Sequence, residues 1–331
     1  MKKIINKPEN VVDEMLNGFV KAYPQYVKRL ENLNVIVRSN PKTDKVALVS
    51  GGGSGHEPSH AGFVGEGMLD AAVAGEVFTS PTPDQVYEAI KAVDNGNGVL
   101  LVIKNYTGDV MNFEMASDMA KEEGIKVEQV IVNDDVAVED STYTTGRRGI
   151  AGTIFIHKIA GAKAEMGGSL NEVKEVAEKV IKNVKSMGMA LTSCTLPAVG
   201  KPSFNLGENE MEIGIGIHGE PGTHRDQVKS ANEIVDELLK RIFDNIELKN
   251  GDEVAVMVNG MGATPLMELN IANLRVNDVL VDKGIKIVRT YVGNYMTSLD
   301  MAGFSITILK LDDELKELLL YKANTPAFVQ I

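Results

Sequence analysis

The sequence predicts an α/β fold: a three-layer domain with a mostly parallel sheet, followed by a second, two-layer α/β domain with a mixed sheet. Short, nearly all-apolar segments alternate with helical patterns in the first part, which is typical of parallel strands buried on both faces. Strands in the second part show partial apolar alternation, which is typical of a sheet with one less covered face. Because 331 residues exceed one ordinary domain, we expect domains over residues 1–187 and 188–331.

The first domain is expected to begin with a helix and to continue as alternating strands and helices. Apolar residues recur at helical spacing over residues 11–23, and Pro8 precedes them as a start signal. The expected strands cover residues 34–37, 46–49, 71–74, 99–103 and 130–132. The expected helices cover residues 83–93, 110–123, 150–166 and 170–187. Alternation of this kind implies parallel pairing of the strands.

The second domain is expected to contain more strands than helices. The expected strands cover residues 191–196, 212–217, 253–258, 285–292 and 305–309. Helical spacing predicts only two long helices, over residues 227–244 and 266–283.

Composition argues against several classes of function. Lys and Arg total 34 against 46 Asp and Glu, and the resulting net charge of −12 makes nucleic acid an unsuitable partner. The single cysteine, Cys194, allows no internal disulfide and is typical of a reducing compartment. Residues 1–10 hold no apolar run long enough for a signal peptide or a membrane span. We therefore expect a cytoplasmic protein without a membrane partner.

Two glycine-rich segments contain four of the five histidines. Residues 51–60 read GGGSGHEPSH and follow an apolar strand, and residues 213–224 read IGIGIHGEPGTH. Glycine lets the backbone adopt positive φ and approach a ligand closely. In open α/β sheets, ligands bind at the carboxyl ends of strands. The first segment is therefore predicted to be a binding loop.

The loop does not meet the requirements of two kinds of familiar motif, those for zinc and those for nucleotides. Residues 56–60 match the H-E-x-x-H pattern of zinc proteases, but that motif requires a helix, whereas Pro58 and the small residues before it place His56 in a loop. We therefore expect no metal site. The loop also ends in Gly-His-Glu where a P-loop ends in Gly-Lys-Ser or Gly-Lys-Thr, and it lacks G-x-G-x-x-G. Its backbone N–H groups remain suited to a small polar or anionic ligand.

Other polar residues at strand ends have two interpretations each. Asp109 is either an N-cap or a functional carboxylate, while Lys104 at the tip of a buried strand needs an anion or a polar ligand. His218 is either a structural hydrogen-bonding group or a nucleophile, for which its small neighbours provide access. Arg147 and Arg148 indicate a solvated loop or a phosphate contact. The glycine-rich segment 259–265 is typical of a tight turn.

Five motifs in this order resemble the dihydroxyacetone kinase substrate-binding subunit, and the resemblance extends from the first helix to residues 323–328. They are GGGSGHEP at 51–58, KNYTGD at 104–109, GIHGEPG at 216–222, VNGMGATP at 258–265 and MTSLDMAG at 296–303. The resemblance implies a two-domain α/β kinase of glycerol metabolism. It also implies that His218 bonds covalently to the carbonyl of dihydroxyacetone as a hemiaminal, and that His56 and Asp109 are catalytic. The implied substrate-binding residues are Gly53, Ser54, Gly55, His56, Lys104, Asp109 and His218.

The resemblance also implies partners. Fused kinases of this family continue into a nucleotide-binding domain, and no P-loop is evident in this sequence, which ends at Ile331. We therefore expect a homodimeric subunit that binds no cofactor itself. It would work with a separate nucleotide-binding kinase subunit carrying ADP or ATP with Mg²⁺. A phosphohistidine carrier of the phosphotransferase system would supply the phosphoryl group indirectly.

Two other functions remain open. The family includes non-catalytic paralogues that sense dihydroxyacetone as transcriptional co-activators. The combination of His56, Lys104, Asp109 and His218 favours the enzyme, because a sensor needs the anchor but not the base. A fatty-acid-binding module rests on analogy of fold alone, and the acidic charge and polar loops argue against it.

Overall fold

The computed structural model describes residues 2–139 and 145–331. Within these ranges the α-helices are α1 (Val11–Ala22), α2 (Pro83–Val93), α3 (Thr107–Glu122), α4 (Thr153–Glu165), α5 (Leu170–Asn183), α6 (Ala231–Phe243), α7 (Leu266–Asp282) and α8 (Asp313–Leu320). The strands are β1 (Val27–Arg29), β2 (Val35–Arg38), β3 (Ala47–Ser54), β4 (Ala71–Val77), β5 (Val99–Lys104), β6 (Val127–Val132), β7 (Val184–Ala190), β8 (Glu210–Ile213), β9 (His224–Gln227), β10 (Glu253–Gly260), β11 (Lys286–Gly293), β12 (Gly303–Leu311), β13 (Ala323–Asn324) and β14 (Val329–Gln330).

The first sheet has the strand order β1-β2-β4-β3-β5-β6. Strands β4, β3, β5 and β6 run parallel, whereas β1 and β2 add antiparallel pairs at one edge. Helices α2 and α3 contact one face, and α1, α4 and α5 contact the other, which makes three layers. β5 is buried along its whole length, as its unbroken apolar sequence predicts.

The second sheet has the strand order β11-β10-β12-β7-β8-β9. Only β10 and β11 pair in parallel, and the remaining neighbours are antiparallel. Helices α6 and α7 pack on one face, while α5 and α8 contact β12 from the first domain's side. The α/β class with one mostly parallel and one mixed sheet is therefore confirmed. The domain division near residue 188 stays a prediction, and β7 crosses it.

The predicted helix over residues 170–187 is wrong beyond Asn183. Residues 184–190 form β7, which pairs with β12 along its length. Met187 and Met189 are buried in the core beneath the second sheet, so tertiary pairing overrides a sequence that is also compatible with a helix. The predicted strand over residues 191–196 is correspondingly wrong, since these residues form a loop.

The glycine-rich segment continues β3 instead of ending it. Gly51 and Gly53 pair with Val73 and Gly75 of β4. A Cβ at Gly51 would lie 2.4 Å from the Val73 carbonyl oxygen, so the two backbones approach more closely than a side chain allows. The prediction that the strand stops before the glycines is wrong for this reason.

Several short elements were not predicted, namely β1, β9, α8, β13 and β14. Helix α6 begins at Ala231 and not at residue 227, because Ser230 and Glu233 form a capping box at that point. No helix of the described residues is both long enough and apolar enough to span a bilayer.

Candidate active site

The predicted site residues follow the ends of three strands. β3 ends shortly before His56, and β5 ends at Lys104, shortly before Asp109. These two ends are neighbours because β3 and β5 pair in parallel. His218 follows β8 of the second sheet, and packing of the two sheets brings it to His56, 162 residues away in sequence.

His56 and His218 face each other through Nε2 atoms that are 3.1 Å apart. The Nδ1–H of His56 donates to the backbone carbonyl of Thr297 at 2.8 Å. The Nδ1–H of His218 donates to the carboxylate of Glu220 at 2.9 Å, which also accepts the backbone N–H of His218 at 2.9 Å. An acceptor behind each ring therefore directs both Nε2 atoms to one point.

The contact between the two Nε2 atoms requires one shared proton, because two bare lone pairs would repel each other. Burial, followed by the charges of His218 and Lys104, holds the pKa of His56 well below its usual range. His56 is therefore held in its neutral form, with the lone pair of Nε2 directed at His218. Burial works to raise the pKa of Glu220, but the charge and hydrogen bond of His218 and the charge of Arg148 lower it to about 2. An ionised carboxylate thus lies directly behind the ring of His218.

Aromatic rings enclose the histidine pair. Phe78 stacks on His56 with ring centroids 5.1 Å apart and an interplanar angle of 15°. Phe78 and Tyr106 contact His218 edge to face, with centroids at 5.1 and 4.6 Å. His56 is fully buried, whereas the side chain of His218 is 15% exposed. Of the two rings, His218 is the one that a ligand from solvent can reach.

Lys104 and Asp109 form a buried ion pair beside the glycines. Nζ of Lys104 lies 3.4 Å from Oδ2 of Asp109 and donates to the Gly51 carbonyl at 2.9 Å. Oδ1 of Asp109 accepts the Ser80 hydroxyl at 2.5 Å. A Cβ at Gly52 would lie 2.4 Å from Nζ, so only glycine leaves room for this lysine. The ammonium and the carboxylate together can hold a substrate hydroxyl between a donor and an acceptor.

The interpretation of Asp109 as an N-cap is wrong. Helix α3 begins at Thr107, and its N-cap residue is Tyr106, whose side chain makes no capping hydrogen bond. Asp109 lies inside the first turn and is buried, with Ser80 and Lys104 as its partners. The helix dipole favours a carboxylate at this position, but these partners lie outside the helix. The functional interpretation of Asp109 stays a prediction.

Gly53, Ser54 and Gly55 lie at the end of β3, as predicted. The Ser54 hydroxyl donates to the Gly75 carbonyl at 2.7 Å, so the protein itself uses that group. A Cβ at Gly53 would lie 2.6 Å from the backbone nitrogen of Thr79, so the strand packs directly against the segment after β4. The binding roles of these three residues stay predictions.

Two of the sequence motifs hold the His56 loop in place. In the motif at 296–303, the backbone N–H of Thr297 donates to the His56 carbonyl at 3.2 Å. In the motif at 258–265, the Asn259 side chain accepts the two N–H groups that precede Thr297, at 2.9 Å each. Asn259 lies in β10, so this motif supports the partner of His56. The tight turn that we expected over 259–265 is wrong at its start, because residues 259–260 belong to β10 and Gly262 forms a β-bridge with Met301.

Arg148 is buried, which corrects the interpretation of this segment as a solvated loop. It forms an ion pair with Asp135 at 2.7 Å and donates to the Gly214 carbonyl at 2.8 Å. Its charge also contributes to lowering the pKa of Glu220. Arg148 therefore ties the loop after β8 to the first domain, while Arg147 stays partly exposed.

The other histidines of the two segments have different surroundings. His60 directs Nδ1 to Nε2 of His157 at 3.0 Å, so its ring does not converge with His56. Both residues of the H-E-x-x-H pattern lie in a loop. Across the described ranges, no three His, Cys, Asp or Glu side chains form a group that could hold a metal ion. His224 lies outside the site and pairs with Glu237 at 3.0 Å.

Five contributors to the site received no role from the sequence: Phe78, Ser80, Tyr106, Glu220 and Thr297. Glu220 had a usable signal, since it stands two residues after His218 in a glycine-rich loop, within reach of the ring. Thr297 acts through its backbone carbonyl, which no side-chain pattern marks. Phe78 and Ser80 reach the site only because β4 lies beside β3.

Comparisons with known proteins agree with this geometry. A family model described as the Dak1 domain matches residues 17–327. A Listeria innocua protein named PTS-dependent dihydroxyacetone kinase 1, dihydroxyacetone-binding subunit DhaK, is 58% identical and aligns over 95% of each chain. The dihydroxyacetone kinase of C. freundii superposes with a TM-score of 0.92 at 36% identity, covering 99% of this chain. The structure titled dihydroxyacetone kinase operon co-activator Dha-DhaQ has a TM-score of 0.90 at 36% identity, covering 96% of this chain and 98% of its own.

These matches confirm the predicted resemblance. This chain spans 60% of the longer C. freundii chain, whereas it aligns over nearly the whole Listeria innocua subunit. Because the domain model covers most of the sequence and a relative shares more than half of its residues, the chain belongs to the Dak1 family.

Proposed function

We propose that this chain is the dihydroxyacetone-binding subunit of a dihydroxyacetone kinase and holds its substrate covalently on His218. The observation that carries the proposal is the opposed pair of Nε2 atoms on His218 and His56, with Glu220 behind the reactive ring. Dihydroxyacetone offers few contacts, so a bond to its carbonyl would give selectivity against glycerol, which has no carbonyl. The name of the Listeria innocua relative supports this substrate.

In the first step, the proton between the two rings moves to Nε2 of His56, and Nε2 of His218 then attacks the carbonyl carbon of dihydroxyacetone. The new N–C bond forms as the π electrons of the carbonyl move to oxygen. The proton that His218 shared with His56 passes by way of His56 Nε2 to that oxygen. The product is a hemiaminal with a hydroxyl group on carbon and a positive charge on the ring, so atoms and charge balance. Glu220 stabilises the cation before and after the step.

In the second step, a free hydroxyl of the bound substrate lies between Lys104 and Asp109. Lys104 donates to the hydroxyl oxygen, and Asp109 takes the hydroxyl proton as the oxygen attacks the γ-phosphorus of the nucleotide. The P–O bond to the nucleoside diphosphate breaks as the new P–O bond forms. Reversal of the first step then breaks the N–C bond to His218, returns the hemiaminal proton to the histidine pair and releases dihydroxyacetone phosphate. The 3.4 Å contact between the Lys104 and Asp109 side chains supports their role in the second step, because a hydroxyl beside it can accept from Nζ and donate to Oδ2. His56 is the alternative base.

The phosphoryl donor belongs to the proposal as well. We place the nucleotide with its Mg²⁺ on a separate kinase subunit and its rephosphorylation with a phosphohistidine carrier. Relatives named PTS-dependent and, at 46% identity in Escherichia coli, PEP-dependent support that source. A homodimeric assembly follows from the family resemblance.

The second candidate function is a dihydroxyacetone-sensing co-activator. The structure with that title is 36% identical to this chain, against 58% for the kinase subunit. This chain also combines the His218 anchor with the Lys104–Asp109 pair, which a sensor would not need. The kinase subunit is therefore the better supported function.

Replacement of His218 by alanine tests the proposal. Dihydroxyacetone labelled with ¹³C at the carbonyl carbon should lose its carbonyl signal on binding to the wild-type chain, and His218→Ala should bind it too weakly for calorimetry to detect. His224→Ala is the matched control, because His224 lies outside the site. An unchanged affinity in folded His218→Ala, or a bound substrate that keeps its carbonyl signal, would refute the hemiaminal.

A further inference from the structure

A buried chain of hydrogen bonds extends from Lys104 away from the substrate side. Nζ of Lys104 donates to Nε2 of His60 at 3.1 Å. Nδ1 of His60 in turn lies 3.0 Å from Nε2 of His157, which is on helix α4. His60 is 6% exposed and His157 is fully buried. Neither histidine touches His56 or His218 in a way that would give it a part in the hemiaminal step.

The direction of the hydrogen bonds in this series is determined by Lys104, which lies at one end of it. An ammonium group only donates, so Nε2 of His60 must be the acceptor. The single proton of a neutral His60 then resides on Nδ1 and is donated to Nε2 of His157. If His157 carried its proton on Nε2, His60 would have to turn its own N–H toward the ammonium. The lone pair on Nε2 of His157 thus stabilises the tautomer of His60 whose Nε2 accepts from Lys104.

Lys104 has three N–H groups, and each has one acceptor. Two of them go to the Gly51 carbonyl at 2.9 Å and to His60 at 3.1 Å, and the third points to Asp109 at 3.4 Å. Because the ammonium is tetrahedral, holding two N–H groups determines the direction of the third. That third N–H is the one directed at the position proposed for the substrate hydroxyl.

We propose that His60 and His157 are positioning residues that aim the third N–H of Lys104 at the substrate hydroxyl. His157 holds His60 in the tautomer whose Nε2 accepts from the ammonium. His60 then restrains the ammonium so that a hydroxyl entering between Lys104 and Asp109 meets a donor already in place. This inference rests on the proposed function.

Two further observations support the assignment. Nδ1 of His157 is buried and has no hydrogen-bond partner among the described residues. An unpaired buried N–H is unfavourable, and an apolar side chain at position 157 would not have one. The hydrogen bond that Nε2 of His157 accepts from His60 therefore gives a reason for a histidine at this position. Burial, followed by the charge of Lys104, also lowers the pKa of His60 well below its usual range and that of His157 to about 3. Both rings are therefore neutral, as the hydrogen bonds from Lys104 through His60 to His157 require.

The test compares two replacements of His157. His157→Gln keeps an acceptor near the position of Nε2, whereas His157→Leu removes it. With the kinase partner supplied, we expect His157→Leu to lose up to about 10²-fold in turnover of dihydroxyacetone, and His157→Gln to recover most of it. Each replacement is repeated in a Lys104→Met background. A residue that acts only through Lys104 should have no further effect there.

Nitrogen NMR of the imidazole rings gives a readout that does not depend on activity. We expect His60 in the wild-type chain to carry its proton on Nδ1. A proton on Nε2 would overturn the inference even if the variants failed to fold. Equal turnover of His157→Leu and wild type, or an undiminished loss in the Lys104→Met background, would also overturn it. Failure of the wild-type chain to form an adduct would instead reject the proposed function.

Discussion

Replacement of Glu220 by glutamine should weaken the adduct with dihydroxyacetone while leaving the His218 loop folded. Glutamine has nearly the same size and can still accept a hydrogen bond from Nδ1 of His218. The substitution removes the negative charge that faces the ring and, because both carboxylate oxygens accept from His218, also replaces one of these two acceptors by an NH2 group, at a side chain that is buried. The adduct carries a positive ring in the proposed mechanism, so the charge of Glu220 should matter directly to its stability.

The magnitude can be bounded from the structure. Hydrogen bonds to charged groups are worth about 1.5–3 kcal/mol and neutral ones about 0.5–1.5 kcal/mol, so the loss is about 1–2 kcal/mol. The pKa of Glu220 falls from its ordinary 4.5 to about 2 although burial works to raise it, so the surroundings favour the charged carboxylate. We therefore expect an adduct that is roughly 5 to 30 times weaker.

Calorimetric titration with dihydroxyacetone measures this change, and circular dichroism checks the fold. Glu212→Gln is the matched control, because Glu212 is also a buried carboxylate that accepts a loop N–H, at 2.9 Å from Gly222, and it does not contact His218. Wild-type affinity in Glu220→Gln would contradict the reasoning. So would an equal loss in Glu212→Gln, which would show that the loop and not the charge is responsible.

Three further outcomes are expected. Asp109→Asn should still form the adduct but lose about 10²–10⁴-fold in turnover with the kinase partner; a loss of only a few-fold would move the base to His56. Gly52→Ala should lose activity because its Cβ would lie 2.4 Å from Nζ of Lys104. Gly96 is also at positive φ but has open space around it, so Gly96→Ala should lose only stability. Equal activities of the two variants would contradict this expectation. His157 stays neutral in the fold with a pKa of about 3, so it favours the fold above pH 6.5 and loses that effect as pH falls toward 3. Denaturant titrations of His157→Gln should therefore show a shallower acid dependence of the free energy of unfolding, by about 1.4 kcal/mol per pH unit, and an unchanged slope would contradict the assigned pKa.

Local patterns predicted most of the fold because they depend on neighbours in sequence. The apolar segment at 99–103 is buried on both faces, and helix α2 has the predicted bounds. Residues 184–190 were assigned wrongly because their sequence suits a helix or a strand, and the partner that decides between them is distant. The Ser186 hydroxyl bonds to Thr307, 121 residues along the chain. No local pattern carries that information.

The candidate site likewise contains residues that the sequence predicted and residues that it did not. His56, Lys104, Asp109 and His218 were found because reactive side chains stand beside glycines at strand ends. The carbonyl of Thr297 and the rings around the histidine pair were not found. A backbone carbonyl has no sequence signature, and an aromatic residue is more often part of a core.

By itself, the sequence determined the α/β class, the candidate binding loops and the family. These follow from periodicity, glycine spacing and side-chain chemistry, which all act over short stretches of chain. Only the tertiary structure decided that Nε2 of His56 faces Nε2 of His218, that Glu220 lies behind the ring of His218, and that Lys104 is held from behind by His60. Such relations depend on distances of about 3 Å between groups on different elements, and packing of the two sheets sets those distances.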